Sequence, residues 1–301
     1  MGAGRLRTSA GELLPYNVNG FANAPTNEAH YFLAGDIRAN EQIGLTGLRA
    51  VQRLRADYAW AISLEICVFP QEGMLNNPGT EALLCQALES GADLLGGCPY
   101  TDSDPQGQIR RLFELAVHYD CDLDFHLDFD LNPEGMTLGS VIEQTRLHGW
   151  QGRVAVGHAT KLSALPRTAL DAMAHELAEA GVAVTCLPST DLFLTGREHF
   201  HNKPRGLAPL AALHALGVTC SLSTNNIDNP FTPYGDASLI RQANLFANVS
   251  QLATEQELLD CLGWVSTTSA HLLRLPEYGL QPGCRADFVV FDAPSAAAVV
   301  A

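Results

Sequence analysis

Two short apolar segments decide the fold, and each carries a histidine at or near its end: Asp122-Leu-Asp-Phe-His-Leu-Asp128 and Arg153-Val-Ala-Val-Gly-His158. A helical pattern of apolar residues precedes and follows each segment, and this alternation is typical of a parallel sheet with helical crossovers. The carboxyl ends of barrel strands meet at one face, where (β/α)8 enzymes build their sites. We therefore expect His126 and His158 to lie at one face of a barrel, where they can share a metal ion.

The same alternation of strand and helix extends along most of the chain. The predicted strands are 59–69, 93–97, 121–127, 153–157, 182–187 and 218–223, with a further candidate at 30–35. A closed barrel needs eight strands and an open doubly wound sheet needs fewer, so the strand count leaves both architectures open.

The sequence divides into three predicted segments. Residues 1–42 are rich in Gly, Asn and Pro without a periodic pattern, which predicts an irregular N-terminal segment. Residues 43–275 form the predicted barrel domain. Residues 276–301 contain a turn at Gln281-Pro-Gly283 and a short apolar run, which predict a C-terminal turn and strand.

Composition excludes several functional classes. The chain has 301 residues, 47% of them hydrophobic, so it can bury a large core. Its net charge of −15 disfavours nucleic-acid binding. No apolar run approaches the ~20 residues of a membrane span. The eight cysteines form no CxxC pair, and no signal-peptide pattern precedes the barrel, so we expect reduced thiols in a cytoplasmic protein.

Further motifs carry a resemblance to a known family. They are Cys67-Val-Phe-Pro-Gln-Glu-Gly73, Gly96-Gly-Cys-Pro-Tyr-Thr-Asp102, Asp191-Leu-Phe-Leu-Thr-Gly-Arg197 and Asn229-Pro-Phe-Thr-Pro-Tyr-Gly235. Together with the two histidine segments, they resemble the amidohydrolase superfamily, specifically its cytosine-deaminase-like branch. The 276–301 segment resembles part of the small β-sandwich of such enzymes.

The resemblance implies an α/β fold, a (β/α)8 TIM-type barrel, with one divalent metal, zinc or iron. Such a metal lowers the pKa of a bound water and makes it a nucleophile. The implied reaction is hydrolysis of a C–N bond in a small nitrogen heterocycle. Ammonia or an amine leaves, or a ring amide opens, and the sequence does not choose among these. His126 and His158 match the family's ligands on strands 5 and 6.

Two positions depart from the family pattern. The glutamate that shuttles protons three residues after the first histidine is replaced by Phe129. Strand alternation favours Asp128 as the replacement base, with Asp130 as the alternative. The strand-8 aspartate aligns with Asn225, whose amide oxygen can bind a metal or hydrogen-bond a substrate but accepts protons poorly. Asp128 and Asn225 are the predicted catalytic residues.

The family's His-x-His pair on strand 1 has no counterpart in residues 1–42, which contain His30 alone. This predicts a barrel shortened at its N-terminus. The chain's one His-x-His motif, His199-Phe-His201, follows strand 7. The resemblance places it in a loop that covers the site, rather than in a replacement metal pair.

The predicted substrate-binding residues follow the strand ends. Gln71 follows the predicted strand 59–69, and Tyr100 and Asp102 follow the predicted strand 93–97. Arg205 lies after the His-x-His loop and is predicted to hold a lid or an acidic substituent of the substrate.

Two functions from different classes remain open. One is a metal-dependent hydrolase of a small heterocycle. The other is a non-catalytic barrel that acts as a binding or oligomer-forming module. An incomplete barrel exposes strand edges, which predicts homo-oligomers.

Overall fold

The computed structural model describes residues 19–23, 31–39, 44–285 and 287–301. Its strands lie side by side in chain order. They are β1 Asn19–Asn23, β2 Tyr31–Arg38, β3 Ile62–Phe69, β4 Leu94–Gly97, β5 Asp122–Leu127, β6 Val154–His158, β7 Val182–Cys186 and β8 Cys220–Leu222. β1 is antiparallel to β2, and all pairs from β2 to β8 are parallel.

Helices connect successive parallel strands, and three further helices follow the last described strand. They are α1 Thr46–Asp57, α2 Thr80–Glu89, α3 Pro105–Tyr119, α4 Leu138–His148, α5 Arg167–Ala180, α6 Pro188–Leu194, α7 Leu210–Ala215, α8 Leu239–Ser250, α9 Glu255–Trp264 and α10 Thr267–Leu272. Gly149 and Gly181 end α4 and α5 with a positive φ, which glycine adopts without strain. None of the helices in these described ranges has the length and apolar composition of a membrane span.

Sequential, parallel strands with helices between them confirm the predicted α/β fold of TIM-barrel type. Strand residues such as Phe125, Val156, Val184 and Leu222 are fully buried and belong to one continuous apolar core. The strand pairings found in the described ranges run in one line from β1 to β8. The carboxyl ends of β3 to β8 consequently form one edge of the sheet, and the polar side chains that follow the strands gather there.

The prediction that residues 1–42 are irregular is wrong for residues 19–23, which form β1, and for residues 31–38, which form β2. β2 pairs with β3 over its whole length, from Tyr31 opposite Ile62 to Arg38 opposite Phe69. It confirms the candidate strand at 30–35 and places the start of the sheet before residue 43. His30 lies outside the described residues.

The predicted C-terminal strand is also wrong. From 276 to 301, the described residues form turns and a short 3-10 helix, Ala297–Val299. Phe288 and Val290 are mostly exposed, and no strand pairing involves this apolar run among the described residues. The end of the chain is held instead by Asn244, whose side-chain amide donates to the Val300 carbonyl.

Candidate active site

The structure brings His126 and His158 together at the carboxyl edge of the sheet. The two rings lie 5.2 Å apart between centroids, because β5 and β6 are neighbours and place Leu127 opposite His158. Both side chains are buried. Phe69 stacks on His126 at 4.8 Å with nearly parallel planes. Two imidazoles are therefore held next to each other in a mostly apolar setting.

Asp191 fixes the orientation of His158. The two side chains are joined by a 2.7 Å contact between Nδ1 of His158 and Oδ1 of Asp191, and Asp191 is completely buried. The other carboxylate oxygen accepts a hydrogen bond from the Leu187 amide. An ionised carboxylate only accepts, so Nδ1 of His158 donates to it, and in the neutral imidazole the lone pair then lies on Nε2. This is the arrangement by which carboxylates orient metal-binding histidines.

Asp191 lies on α6, a helix that the sequence analysis did not predict. Three consecutive buried residues of α6 each contact a different element: Ser189 donates to Gln242 of α8, Thr190 bonds the hydroxyl of Thr232 in the loop after β8, and Asp191 binds His158. The signal was Pro188 in the first turn with Asp191 shortly after it, which is a pattern typical of a helix start.

Phe129, at the position of the family's glutamate, packs against the histidine pair. Its ring lies 4.4 Å from that of His158 and 6.4 Å from that of Tyr100. An apolar ring moves no proton, but it shields His158 from water. Tyr100 itself is partly exposed, so Phe129 separates a buried imidazole from an accessible aromatic side chain.

Asp128 is buried, and its carboxylate faces the start of α4. Oδ1 accepts hydrogen bonds from the amide and the hydroxyl of Thr137, and Oδ2 accepts one from the Leu138 amide. Burial raises the pKa of Asp128, and these hydrogen bonds oppose the rise. Asp130 is exposed and forms an ion pair with Lys161. The structure thus gives Asp128 a role in holding α4, and its role as a base stays a prediction.

Asn225 lies just beyond β8 in a buried position with a φ of 59°. Its side-chain oxygen has no hydrogen-bond partner among the described residues. Buried polar atoms in folded proteins are nearly always paired. This oxygen is therefore available to a bound cation or to a ligand.

Gln71 after β3 and Asp102 after β4, both predicted to bind substrate, form hydrogen bonds between these two loops. Asp102 accepts hydrogen bonds from the backbone amides of Met74 and Leu75 and from the Gln108 side chain. Burial alone would raise the pKa of Asp102, but these hydrogen bonds lower it below its ordinary value. Gln71 donates to the Cys98 sulfur. Asp102 clamps the loop that carries Gln71, and direct substrate contact stays a prediction for both.

Arg205 lines a groove that does not include the histidine pair, and its role in holding a lid or an acidic substituent stays a prediction. Its guanidinium donates to the Val249 carbonyl at 2.7 Å. It lines a groove of about 440 Å³ whose walls include Leu207 and Phe246 and include neither histidine of the pair. The physical reason is that the 204–209 loop packs outward against the end of α8.

The His-x-His motif is in a loop, as the sequence predicted. His199 and His201 are exposed, and Phe200 between them is 99% exposed. His199 contacts the neighbouring Glu198, so the motif shows no sign of a replacement metal site.

The donor set at the barrel edge fits a metal only in part. Among the described residues no group of three or more His, Cys, Asp and Glu side chains could hold one. Two adjacent imidazoles, one of them oriented by a carboxylate, and the unpartnered oxygen of Asn225 offer two nitrogens and one oxygen. These donors suit zinc or iron but fall short of the five-residue set that the resemblance implies.

The sequence is similar to those of known amidohydrolases and deaminases. The sequence model of the amidohydrolase family matches residues 9–301. The chain is 25% identical over 253 residues to an N-isopropylammelide isopropyl amidohydrolase of Pseudomonas sp. strain ADP, covering 82% of this chain and 59% of that protein. It is 29% identical over 232 residues to a pterin deaminase of Rhizobium rhizogenes, covering 76% and 52%.

Solved structures show the same architecture. A 5-methylcytosine deaminase of Klebsiella pneumoniae aligns with a TM-score of 0.83 at 26% identity, covering 88% of this chain and 65% of that one. An N-isopropylammelide isopropylaminohydrolase of Burkholderia multivorans aligns with a TM-score of 0.79 at 32% identity, with the same coverage. The chain spans between about half and two thirds of the length of these relatives.

Proposed function

Because the chain belongs to the amidohydrolase family, we propose that it is a metal-dependent hydrolase that cleaves a C–N bond in a small nitrogen heterocycle. One observation carries the proposal: the buried pair of His126 and His158, with Asp191 bonded to Nδ1 of His158. The names of its relatives support the substrate class, since they specify pterin, N-isopropylammelide and 5-methylcytosine.

In this proposal His126 and His158 hold zinc or iron, with the Asn225 amide oxygen as the further donor at the same edge. A divalent metal held there would supply a water of lowered pKa as the nucleophile for hydrolysis of the C–N bond. Asp191 keeps His158 in the tautomer that binds through Nε2. Phe69 and Phe129 keep bulk water from the imidazoles, so charges in the site are weakly screened.

The remaining roles are also proposals. Asp128 is the candidate that carries a proton to the leaving group, because it follows His126 by two residues and is held in one position by α4. Tyr100 contacts the heterocycle from the exposed side of Phe129. Gln71 and Asp102 shape the neighbouring wall through the 71–79 loop.

Turnover with and without the histidines tests the proposal. The protein is loaded with zinc or iron and incubated with cytosine, 5-methylcytosine, pterin and N-isopropylammelide, and released ammonia or isopropylamine is measured. We expect metal-dependent release that His126→Ala and His158→Ala abolish. The control His175→Ala, at an exposed position of α5, should keep the activity. Absence of release from fully metal-loaded protein, or release that survives both histidine variants, would contradict the proposal.

A second candidate is a non-catalytic barrel that binds heterocycles or forms oligomers. Two observations favour it: Phe129 occupies the proton-shuttle position, and the set of metal donors among the described residues is incomplete. This candidate predicts heterocycle binding without product formation. A homo-oligomer is proposed for either function, and light scattering that shows a monomer would contradict it.

For location and other partners we propose a cytoplasmic protein without nucleic-acid or membrane partners. None of the eight cysteines, all of which lie in the described ranges, forms a disulfide, as expected in a reducing compartment. The net charge of −15 opposes binding to phosphate backbones and anionic lipids.

A further inference from the structure

The orientation of His158 depends on α6, a helix that is too short to be stable alone. It has seven residues, Pro188–Leu194, whereas isolated helices shorter than about 12 residues are marginal in water. The residue before it, Leu187, makes no side-chain hydrogen bond to its first amides. Contacts from outside the helix must therefore fix its first turn, which contains Asp191.

One such contact comes from Gln242, which lies on α8 and is completely buried. Its side-chain oxygen accepts two hydrogen bonds from Ser189, one from the amide at 3.2 Å and one from the hydroxyl at 3.0 Å. The first amides of a helix have no partner inside the helix, and the side chain that caps them usually belongs to the residue just before it. Here a side chain of another helix supplies the cap.

These bonds define the orientation of the Gln242 amide. The Ser189 N–H can only donate, so the amide atom that faces it is the oxygen. The amide nitrogen, Nε2, has no hydrogen-bond partner among the described residues. A buried donor without a partner destabilises a fold, so a contribution to stability does not by itself explain a glutamine at this position. The part of the side chain that the fold uses is the oxygen that holds α6.

The connection from Gln242 to His158 is short. Ser189 and Asp191 are two residues apart in the first turn of α6. Oδ1 of Asp191 lies 2.7 Å from Nδ1 of His158, and Oδ2 accepts a hydrogen bond from the Leu187 amide at 3.1 Å. Asp191 is completely buried and engaged through both oxygens. A movement of this turn therefore changes the distance between the carboxylate and the imidazole directly.

We propose that Gln242 is a positioning residue. It holds the first turn of α6 and, through Asp191, keeps His158 in the tautomer that has the proton on Nδ1 and the lone pair on Nε2. The effect on the tautomer follows from contacts within the chain and applies to the metal-free protein. The consequence for metal binding rests on the proposed function, since a carboxylate that fixes the tautomer presents one imidazole nitrogen to a metal.

Nitrogen NMR of the metal-free protein with isotope-labelled histidine tests the tautomer, because the two forms give different nitrogen shifts. Spectra are recorded at about pH 8, where free imidazole is neutral, and the His158 signals are those that His158→Ala removes. Gln242→Met nearly conserves the volume of the side chain and removes the acceptor. We expect the Nδ1–H form alone in wild type and a mixture of both tautomers in Gln242→Met.

Two further variants show whether the acceptor oxygen is responsible. Gln242→Glu keeps an oxygen that faces Ser189 whether the carboxyl is protonated or ionised, so it should restore the single tautomer. Gln144→Met, at a buried glutamine of α4, is the matched control and should give the wild-type spectrum.

Zinc affinity, measured by chelator competition, separates positioning from a general loss of stability. It should fall about 10-fold in Gln242→Met and return toward wild type in Gln242→Glu, although the buried carboxyl lowers the Tm of that variant. Adding Gln242→Met to Asp191→Ala should cause no further fall, because the side chain that transmits the effect is already absent. If the double variant does not fold, the two single variants of Gln242 decide the question.

A single Nδ1–H tautomer in Gln242→Met would overturn the positioning role. So would a zinc affinity that falls in Gln242→Met and Gln242→Glu in the same order as their Tm. The outcome is separate from that of the proposed function. A tautomer mixture in Gln242→Met, in a protein that releases no product, would leave the positioning role standing and remove the hydrolase. Product release by a Gln242→Met protein with the wild-type tautomer would do the reverse.

Discussion

The two ends of the parallel sheet use different polar interactions. At the carboxyl edge the polar contacts are buried hydrogen bonds, such as those of His158 with Asp191 and of Thr190 with Thr232. At the amino edge they are ion pairs in partial contact with water, such as Arg153 with Asp120 and Asp122. Buried hydrogen bonds are costly to break, whereas exposed ion pairs contribute little. The carboxyl edge therefore has the fixed geometry that a site requires, whereas the ion pairs of the amino edge contribute little to the free energy of unfolding.

Removal of Asp191 should have the largest effect. Asp191→Ala leaves Nδ1–H of His158 and the Leu187 amide buried without a partner, so we expect a loss of about 3 kcal/mol in the free energy of unfolding. Zinc affinity should fall about 10- to 100-fold. Urea unfolding and chelator competition measure these two quantities. The isosteric Asp191→Asn should recover part of both, and wild-type behaviour of Asp191→Ala would show that α6 does not orient the site.

Glu65 on β3 is the exception at the amino edge, because it is largely buried. Burial raises its pKa from 4.5 to about 7, the Asp93 and Asp122 carboxylates add to the rise, and Arg274 opposes it. The folded protein thus retains a proton that the unfolded chain has already released above pH 4.5. The contribution of Glu65 to the free energy of unfolding is therefore fully present below pH 4.5, where the group is protonated in both states. It is lost as the pH rises through about 7.

Glu65→Gln tests this pH dependence. The neutral amide should stabilise the protein at pH 8 by up to about 3 kcal/mol and have little effect at pH 4.5. Denaturant unfolding at several pH values measures the difference between variant and wild type. A difference that stays constant with pH would show that Glu65 is ionised at neutral pH in the folded protein.

The hydroxyl pair of Thr190 and Thr232 should have an intermediate effect. Thr190→Val leaves the buried Thr232 hydroxyl unpaired, so we expect a loss of about 1–2 kcal/mol. Replacing both residues by valine removes both partners and should recover most of that loss. If the double variant is less stable than the single one by the full additive amount, the two hydroxyls are not coupled.

The Arg274–Asp122 ion pair should have the smallest effect. The Arg274 side chain is 57% exposed, so Arg274→Ala should cost less than about 1 kcal/mol, and less still in 0.5 M salt, where screening is strong. Thermal unfolding at low and high salt measures this. A loss as large as that of Asp191→Ala would remove the contrast between the two edges.

The sequence predicted the parts of the fold that depend on local periodicity. The alternation of strand and helix located β5 and β6, and with them His126 and His158, because parallel strands bring their carboxyl ends to one edge. It did not predict the direction of Asp128. Asp128 follows the strand with a φ of 50°, where strand alternation no longer applies, and its carboxylate accepts hydrogen bonds from the start of α4.

Tertiary contacts account for the other differences. Arg205 is predicted to hold a lid or an acidic substituent, and only the structure shows that its guanidinium donates to the Val249 carbonyl of α8. Asp191 was present in a motif that carried the family resemblance, yet its role depends on α6, whose seven residues are too few to show a helical period. The hydrogen bond from Ser189 to Gln242 joins residues 53 positions apart, and no sequence pattern reports it.

Metal content measured by plasma mass spectrometry tests the central claim most directly. Wild type and the His126→Ala/His158→Ala double variant are grown with zinc and iron and dialysed in parallel, with His175→Ala as the control for loss of a histidine. We predict about one metal ion per chain in wild type and in the control, and none in the double variant. Metal-free wild type, or a double variant that retains the metal, would contradict the assignment of His126 and His158 as the metal centre.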